Sequence, residues 1–480
     1  MTVVDRRPTI TTGASVAAEL GALIESVPAG EYPLIAATLP IPAIDPIDLF
    51  AAARALGFEA ALWLQPAAGR SIVGVGRAWA VEPDGTDRFA MAADAWRAVL
   101  TEAFLSGTGE AGPTLLGGLG FTGLTPAAED RWSPFGAASL VLPTFCVSHD
   151  GSATTLTVAL APNRIDDPDP AEVEAAWDSL AREAVAHEPQ SQVPGSSWSG
   201  PLSIVEERPD RAAWERTVGL FAGAVGRGRI DKVVLARRIE YRAEVDLDVV
   251  AALRHLARTA PESTTFALVR GGTTFLGATP ERLVRTRGRS FETVAIAGSA
   301  ARGRDAAEDA RLAAALLASE KEREEHAVVV DMLRASLTPI VDELRIADMP
   351  SILPLPHLQH LVTPVTGTTR DEAGLLALAG RLHPTPAVGG TPRDVALALI
   401  EEHEAFDRGW YAGPIGWLGA DGDGEMMVAL RCGLVAGQEA ALFAGCGIVA
   451  DSDPVREWEE SRLKLRTMIA ALGGAAEPDR

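Results

Sequence analysis

The strand-like runs of this chain meet across tight turns, without a regular alternation of strand, helix and strand, and this constrains the fold more than any other feature. Residues 60–64 and 71–75 are strand-like. Residues 139–147 form an apolar run, His149-Asp150-Gly151 a turn, and 155–160 an alternating return run, which together read as a hairpin. A second hairpin is read from 274–276 and 283–286, the turn Arg287-Gly288 and a return strand reaching Ile296. Parallel strands need crossovers of a dozen or more residues, so hairpins point to antiparallel sheets. The class predicted is α+β, in preference to a doubly wound parallel sheet.

Helical periodicity supplies the other component. Residues 88–103, 173–186 and 210–226 read as helices, and 305–337 reads as one long helical stretch opened by Asp305 and Glu308 in capping-box fashion. The last helix begins with Asp453 as N-cap and Pro454 at its first position. Further strands are predicted at 232–236, 413–418, 426–434 and 441–443. A length of 480 residues allows about three domains. The linker candidate is 187–201, rich in Pro, Ser, Gly and Gln.

Charge narrows the function. Lys and Arg number 43 against 65 Asp and Glu, a formal charge of −22. Nucleic-acid binding is disfavoured, because neutralising phosphates needs clustered cations. A small anionic substrate would need a local cationic pocket within the acidic field. Cys146, Cys432 and Cys446 are scattered and form no Cys-x-x-Cys pair, which argues against a disulfide scaffold or structural zinc and fits a reducing cytosol. The N-terminus lacks the apolar region of a signal peptide, and Gly and Pro break the uncharged runs, so a cytoplasmic chain with no membrane span is expected.

Several local patterns have two readings. Gly118-Leu119-Gly120-Phe121-Thr122-Gly123 matches G-x-G-x-x-G, but Leu124-Thr125-Pro126 follows and no helix opens, so a glycine-rich turn is favoured over a dinucleotide site. Glu325 shares a helical line with Val329, Leu333 and Leu337. A carboxylate there calls for a partner, and a structural ion pair and a metal ligand both fit. Glu457, Glu460 and Lys464 fall on one helical face; spacing alone favours an ordinary Glu-to-Lys pair over two Mg²⁺ ligands beside an ammonium. His357 and His360 follow prolines with no third ligand near, which disfavours zinc. Cys432 and Cys446 read as small core residues.

Taken together, the C-terminal segments resemble a known family. They run in order through DKVVLAR (231–237), FLGATPERL (275–283), AIAGS (295–299), LASEK (317–321) leading to Glu325-His326, QHLVT (359–363), LHPTPAVGG (382–390), RGWYAG (408–413), AGCGIV (444–449) and EWEE (457–460). This resembles the chorismate-utilising enzymes and, within them, the isochorismate synthases. The match runs over about 210–472, with a weaker echo at Gly117-Gly118-Leu119-Gly120-Phe121 and 132–143. The resemblance implies one α+β fold of two large antiparallel sheets packed together with helices outside. Residues 1–205 then form the N-terminal part of that fold, 187–201 an inserted loop, and 206–475 the chorismate-binding catalytic region.

Roles implied by the resemblance fall on named residues. Lys232 is the general base that activates water, and Glu281 the general acid that protonates the departing C4 hydroxyl. Glu325 and Glu460, with Glu457 close by, are the Mg²⁺ ligands. Arg431, Lys464, Tyr411 and the backbone at Gly445 hold the side-chain carboxylate, and Gly298, Ser299 and His360 line the rest of the pocket. Hydroxide is a poor leaving group, so a protonated acid must sit beside it; a base lysine must lose its proton near neutrality. Family members that use ammonia lack the base lysine, and aminodeoxychorismate synthases place a nucleophilic lysine where this chain has Ala297. Water is therefore the expected nucleophile. The alternatives are a salicylate synthase that goes on to eliminate pyruvate, an anthranilate synthase component, and a silent chorismate-binding subunit. No glutaminase subunit is expected, and a monomer is preferred. Cys446 departs from the family, which has a small residue such as Ala there.

Overall fold

A computed structural model of the protein describes residues 32–107, 112–161, 170–186, 202–354, 358–370 and 374–474. The linker candidate 187–201 and His357 lie outside the described residues. The strands form a 13-stranded and a 10-stranded sheet. The first runs Ser203–Arg208, Lys232–Arg242, Glu439–Ile448, Cys432–Ala436, Thr273–Thr279, Thr264–Arg270, Ala60–Gln65, Arg70–Val75, Phe145–His149, Thr154–Leu160, Ile35–Pro40, Phe104–Gly107, with Gly390–Thr391 beside Lys232–Arg242. The second runs Val341–Ile346, Leu358–Thr369, Ser290–Ala301, Arg282–Arg287, Gly424–Val428, Pro414–Gly419, Thr114–Leu119, Ala138–Leu142, Trp79–Val81, with Ser351–Pro354 flanking Leu358–Thr369. Among the described residues the pairings are antiparallel except Ile35–Pro40 with Phe104–Gly107. The fold is thus α+β with two large sheets and helices. Both sheets mix strands from the two halves of the chain: Ala60–Gln65 pairs with Thr264–Arg270, and Thr114–Leu119 with Pro414–Gly419.

Three apolar runs behave differently from their sequence reading. The run 139–147 divides at Pro143 into Ala138–Leu142 of the second sheet and Phe145–His149 of the first. Proline has no N–H to donate to a ladder, so the strand ends there. The predicted pair 274–276 and 283–286 is likewise split: Thr273–Thr279 belongs to the first sheet, Arg282–Arg287 to the second, and Pro280-Glu281 carries the chain between them. The run 426–434 becomes Gly424–Val428 in the second sheet and Cys432–Ala436 in the first, joined through Arg431 at φ 49°. Hydropathy does not register these switches, because both sheets bury side chains and the pattern of a strand does not say which sheet it joins. Thr273–Thr279 instead makes a hairpin with Thr264–Arg270 through Gly271-Gly272, at φ 51° and 78°, the positive-φ pair a two-residue hairpin turn demands.

The stretch 305–337 is two helices, Ala306–Ala318 and Glu320–Leu337. Ser319 between them is extended, and its Oγ accepts from the Glu322 N–H at 3.3 Å, so the second helix has its own N-cap. Asp305 caps the first helix, but Glu308 reaches back to the Arg304 N–H. In the G-x-G-x-x-G segment the strand ends at Leu119 and no helix follows. A Cβ on Gly123 would come within 2.3 Å of the Gly85 carbonyl, so this glycine serves close backbone packing.

One core cluster joins residues of both sheets, including Leu116, Phe275, Met426 and Leu434. At its centre Trp132, Phe135, Phe275 and Trp410 meet in edge-to-face contacts with centroids 5.0–6.4 Å apart. Gly409, at φ 52°, leaves room there: a Cβ would fall 2.1 Å from the Trp132 ring. A second cluster joins Leu62, Leu276 and Leu442 of the first sheet to Phe50, Leu253 and Met468 of the helices Pro46–Ala55, Val249–Thr259 and Pro454–Ala471. No helix among the described residues is long and apolar enough to cross a membrane.

Candidate active site

Lys232 opens the strand Lys232–Arg242 and lies over Gly447 of the neighbouring strand, where a Cβ would come within 2.4 Å of Cε and 3.1 Å of Nζ. Among the described residues no carboxylate pairs with its Nζ. Burial pushes its pKa down, and the Lys464 ammonium pushes the same way; Glu281, Glu325 and Glu460 oppose them. Glu281 sits where the chain crosses between the sheets, its carbonyl accepting from the Val428 N–H at 2.9 Å. Burial raises its pKa, against the pull of Lys232, Arg431 and Lys464. A lysine whose pKa is lowered and a carboxyl whose pKa is raised lie within electrostatic reach of each other, the pairing that base and acid chemistry would require.

The helix Pro454–Ala471 starts as expected, with Asp453 Oδ1 accepting from the Val455 and Arg456 N–H groups. It carries Glu457, Glu460 and Lys464 to the same region. Lys464 Nζ pairs with Glu460 Oε1 at 2.6 Å and donates to the Gly445 carbonyl at 2.8 Å. Glu457 Oε1 accepts from Ser452 Oγ at 2.8 Å, and its carboxyl is raised by partial burial and by Glu460. One oxygen each from Glu457 and Glu460 and the Cys446 Sγ all lie within 4.8 Å of one another. Paired carboxylate oxygens suit a hard divalent cation. Burial pushes the Cys446 thiol up to about 12, and its Sγ–H donates to the Glu457 carbonyl at 3.3 Å.

Glu325 is on the helix Glu320–Leu337, half-exposed, with Oε1 3.8 Å from Lys321 Nζ. It does not join the Cys446, Glu457 and Glu460 convergence. Partial burial and Glu322 raise its pKa, and Lys321 and Lys232 lower it. The next residue anchors the helix. His326 is buried; its Nδ1–H donates to the Ala297 carbonyl at 3.2 Å, which leaves Nε2 to accept from Thr363 Oγ at 2.7 Å.

The remaining expected residues come from several elements. Gly298, at φ 76°, lies in a bulge where Ser290–Ala301 slips against Leu358–Thr369; beyond the slip Ser299 is opposite His360. A Cβ on Gly298 would meet Glu322 Oε2 at 3.1 Å. His360 is half-buried, and burial together with Lys464 and Lys232 keeps its pKa low. Tyr411 stacks on Phe443 at 5.3 Å, and its hydroxyl lies 3.0 Å from where a Gly445 Cβ would be. Burial raises the phenol. Arg431 is held in the left-handed region, a strained placement for a residue with a side chain, at the second sheet crossing.

Sequence reading passed over Arg237. Its guanidinium is 1% exposed, lies 3.4 Å from the Trp458 ring centroid, and donates to Ser461 Oγ at 3.1 Å and Glu207 at 2.7 Å. It ties the helix bearing Glu457 and Glu460 to the strand bearing Lys232. An arginine directly after the apolar run 233–236 was the available signal.

A family model described as "Chorismate binding enzyme" matches residues 23–473. The chain belongs to this family. Among the relatives of this chorismate-binding enzyme is the "Salicylate biosynthesis isochorismate synthase" of Pseudomonas aeruginosa, 38% identical, with 92% of each chain covered. The "Isochorismate synthase MenF" of Bacillus subtilis is 32% identical, covering 92% of this chain and 94% of its own. Among solved structures, MenF, the menaquinone-specific isochorismate synthase from Escherichia coli, matches with a TM-score of 0.74 at 25% identity, over 94% of this chain and 98% of that one.

Proposed function

We propose that this chorismate-binding enzyme is an isochorismate synthase that works with Mg²⁺. The observation that carries the reading is the opposed pair: Lys232 with its pKa lowered and Glu281 with its pKa raised, each felt by the other. Full-length similarity to isochorismate synthases supports it. In the proposed reaction the neutral Lys232 amine takes a proton from water as the water oxygen bonds to C2 of chorismate. Glu281 gives its proton to the C4 hydroxyl, which leaves as water while the ring double bonds shift. One water enters and one leaves, so the net change is an isomerisation. The enzyme ends the step as an ammonium and a carboxylate, and proton exchange with solvent returns it to the amine and the acid before the next forward turnover.

Glu457 and Glu460, with Glu325 from the helix Glu320–Leu337, would hold the cation, which would supply positive charge for a substrate carboxylate. Arg431, Lys464 and Tyr411 are the candidates for the second carboxylate. Such a cationic lining is what an acidic protein needs to accept a dianion.

Chorismate incubated with the enzyme and Mg²⁺ is expected to reach an equilibrium mixture with isochorismate from either side, with no pyruvate and with activity lost in a chelator. Pyruvate and salicylate in equal amounts would instead establish a salicylate synthase. Ammonia-dependent anthranilate would overturn the water-using assignment, and binding without turnover would indicate a silent subunit.

A further inference from the structure

The Lys232–Arg242 strand has a gap along one edge. Gly390–Thr391 pairs with residues 232 and 233, and Ser203–Arg208 pairs from 238 onward, so among the described residues no strand lies beside 234–237 on that side. Two side chains and one loop carbonyl take the place of a strand. The Ala236 N–H donates to Glu404 Oε1 at 2.7 Å, the Val234 carbonyl accepts from Arg408 Nη2 at 2.8 Å, and the Val234 N–H donates to the Gly389 carbonyl at 3.0 Å.

Glu404 and Arg408 are each 3% exposed and bonded to one another, with Arg408 Nε 2.7 Å from Glu404 Oε2. Arg408 also donates to the Val388 carbonyl at 2.8 Å, and its guanidinium lies 4.2 Å from the Phe121 ring centroid. A buried ion pair is a poor source of stability, because desolvating two charges offsets most of their attraction. This one is hydrogen-bonded through all three guanidinium nitrogens and holds two segments at once. One is the strand that begins at Lys232; the other is the 385–389 loop.

We propose that Glu404 and Arg408 are positioning residues that act as a surrogate strand, setting where Lys232 stands. The inference rests on the assignment of Lys232 as the base. Strand residues alternate faces, so Val234 and Ala236 lie on the same side as Lys232. Neither side chain of the pair bonds to Lys464, Arg431 or the carboxylates of the final helix, so slackening these backbone bonds displaces the amine first. The cost therefore falls on the chemical step.

The test uses the full-length protein with Mg²⁺, comparing wild type, Arg408→Lys and Glu404→Gln. Lysine cannot bond two carbonyls and a carboxylate from one planar group. Arg408→Lys is expected to lower kcat by about 30-fold or more, and Glu404→Gln by about 5-fold or more. KM for chorismate and the half-saturating Mg²⁺ should each stay within about 3-fold. Amide exchange should accelerate in a peptide spanning 232–237 and stay unchanged in the 454–471 helix. An unchanged kcat in a folded variant would overturn the proposal. So would a parallel decline of kcat, KM and Mg²⁺ response, which would mark a general structural role. If Arg408→Lys does not fold, Glu404→Gln decides; if neither folds, the pair is a stability element and the proposal fails. A wild type that leaves chorismate untouched would defeat the proposed function, and amide exchange alone would then judge the surrogate strand.

Discussion

Gly447→Ala isolates the position of Lys232 from its chemistry. Gly447 is paired with Val234 in regular sheet and has no positive φ, so alanine is compatible with its backbone. The new Cβ would stand 2.4 Å from Lys232 Cε, whereas ordinary contact begins at 3.4 Å, so the side chain must move by 3.4 − 2.4, about 1 Å. The atoms it meets are the far end of a flexible side chain, so the lysine moves and the sheet stays. A 1 Å misplacement of a reacting group costs on the order of 10²-fold in rate, about 2.7 kcal/mol of transition-state stabilisation. The assay is the initial rate of isochorismate formation from saturating chorismate and Mg²⁺, alongside thermal unfolding. The expected result is a kcat lowered about 100-fold, with KM within about 3-fold and a melting temperature within a few degrees of wild type. In a Lys232→Ala background the same substitution should cost nothing further, because the group it displaces is gone. A folded Gly447→Ala enzyme with wild-type kcat, or full additivity with Lys232→Ala, would refute the reasoning.

Two further outcomes follow from the charges. Lys464 lowers the pKa of both Lys232 and Glu281, so Lys464→Met should raise both and move the bell-shaped profile of kcat/KM bodily to higher pH, whichever limb belongs to which group; a profile that stays or moves down would contradict it. His383 is buried with Nε2 donating to the Phe121 carbonyl at 3.0 Å, and burial lowers its pKa to about 3. Its neutral form therefore contributes stability that is complete above the unfolded value of about 6.5 and is lost as pH falls toward 3, roughly 3 kcal/mol by pH 4.5. Urea unfolding at pH 7 and 4.5 should show the wild type losing that much more than His383→Gln, and equal losses would remove His383 from the account.

How much of this was legible in the chain depends on the range of the cause. Turn chemistry and capping act over a few residues, so the antiparallel class and the Asp453 cap could be read directly, and the turn read at Arg287-Gly288 lies one residue on, at Gly288-Arg289. The short motifs placed Lys232, Glu281, Glu457, Glu460 and Lys464 in advance by resemblance, and the folded chain brings them within electrostatic reach of one another. Ser319 was also a local signal, a serine three residues ahead of Glu322, but helical periodicity on both sides masked the break. The sheet switches at Pro143, Glu281 and Arg431 were invisible, since a strand's own residue pattern does not say which of the two sheets it joins. The joint role of Glu404 and Arg408 beside the strand was not legible, because their partners at Ala236 and Val234 are about 170 positions away. Sequence alone determined which residue types could carry acid, base and cation-binding chemistry. Tertiary structure alone decided their protonation bias and alignment, because desolvation and the filling of a gap in a sheet are properties of what packs around a residue.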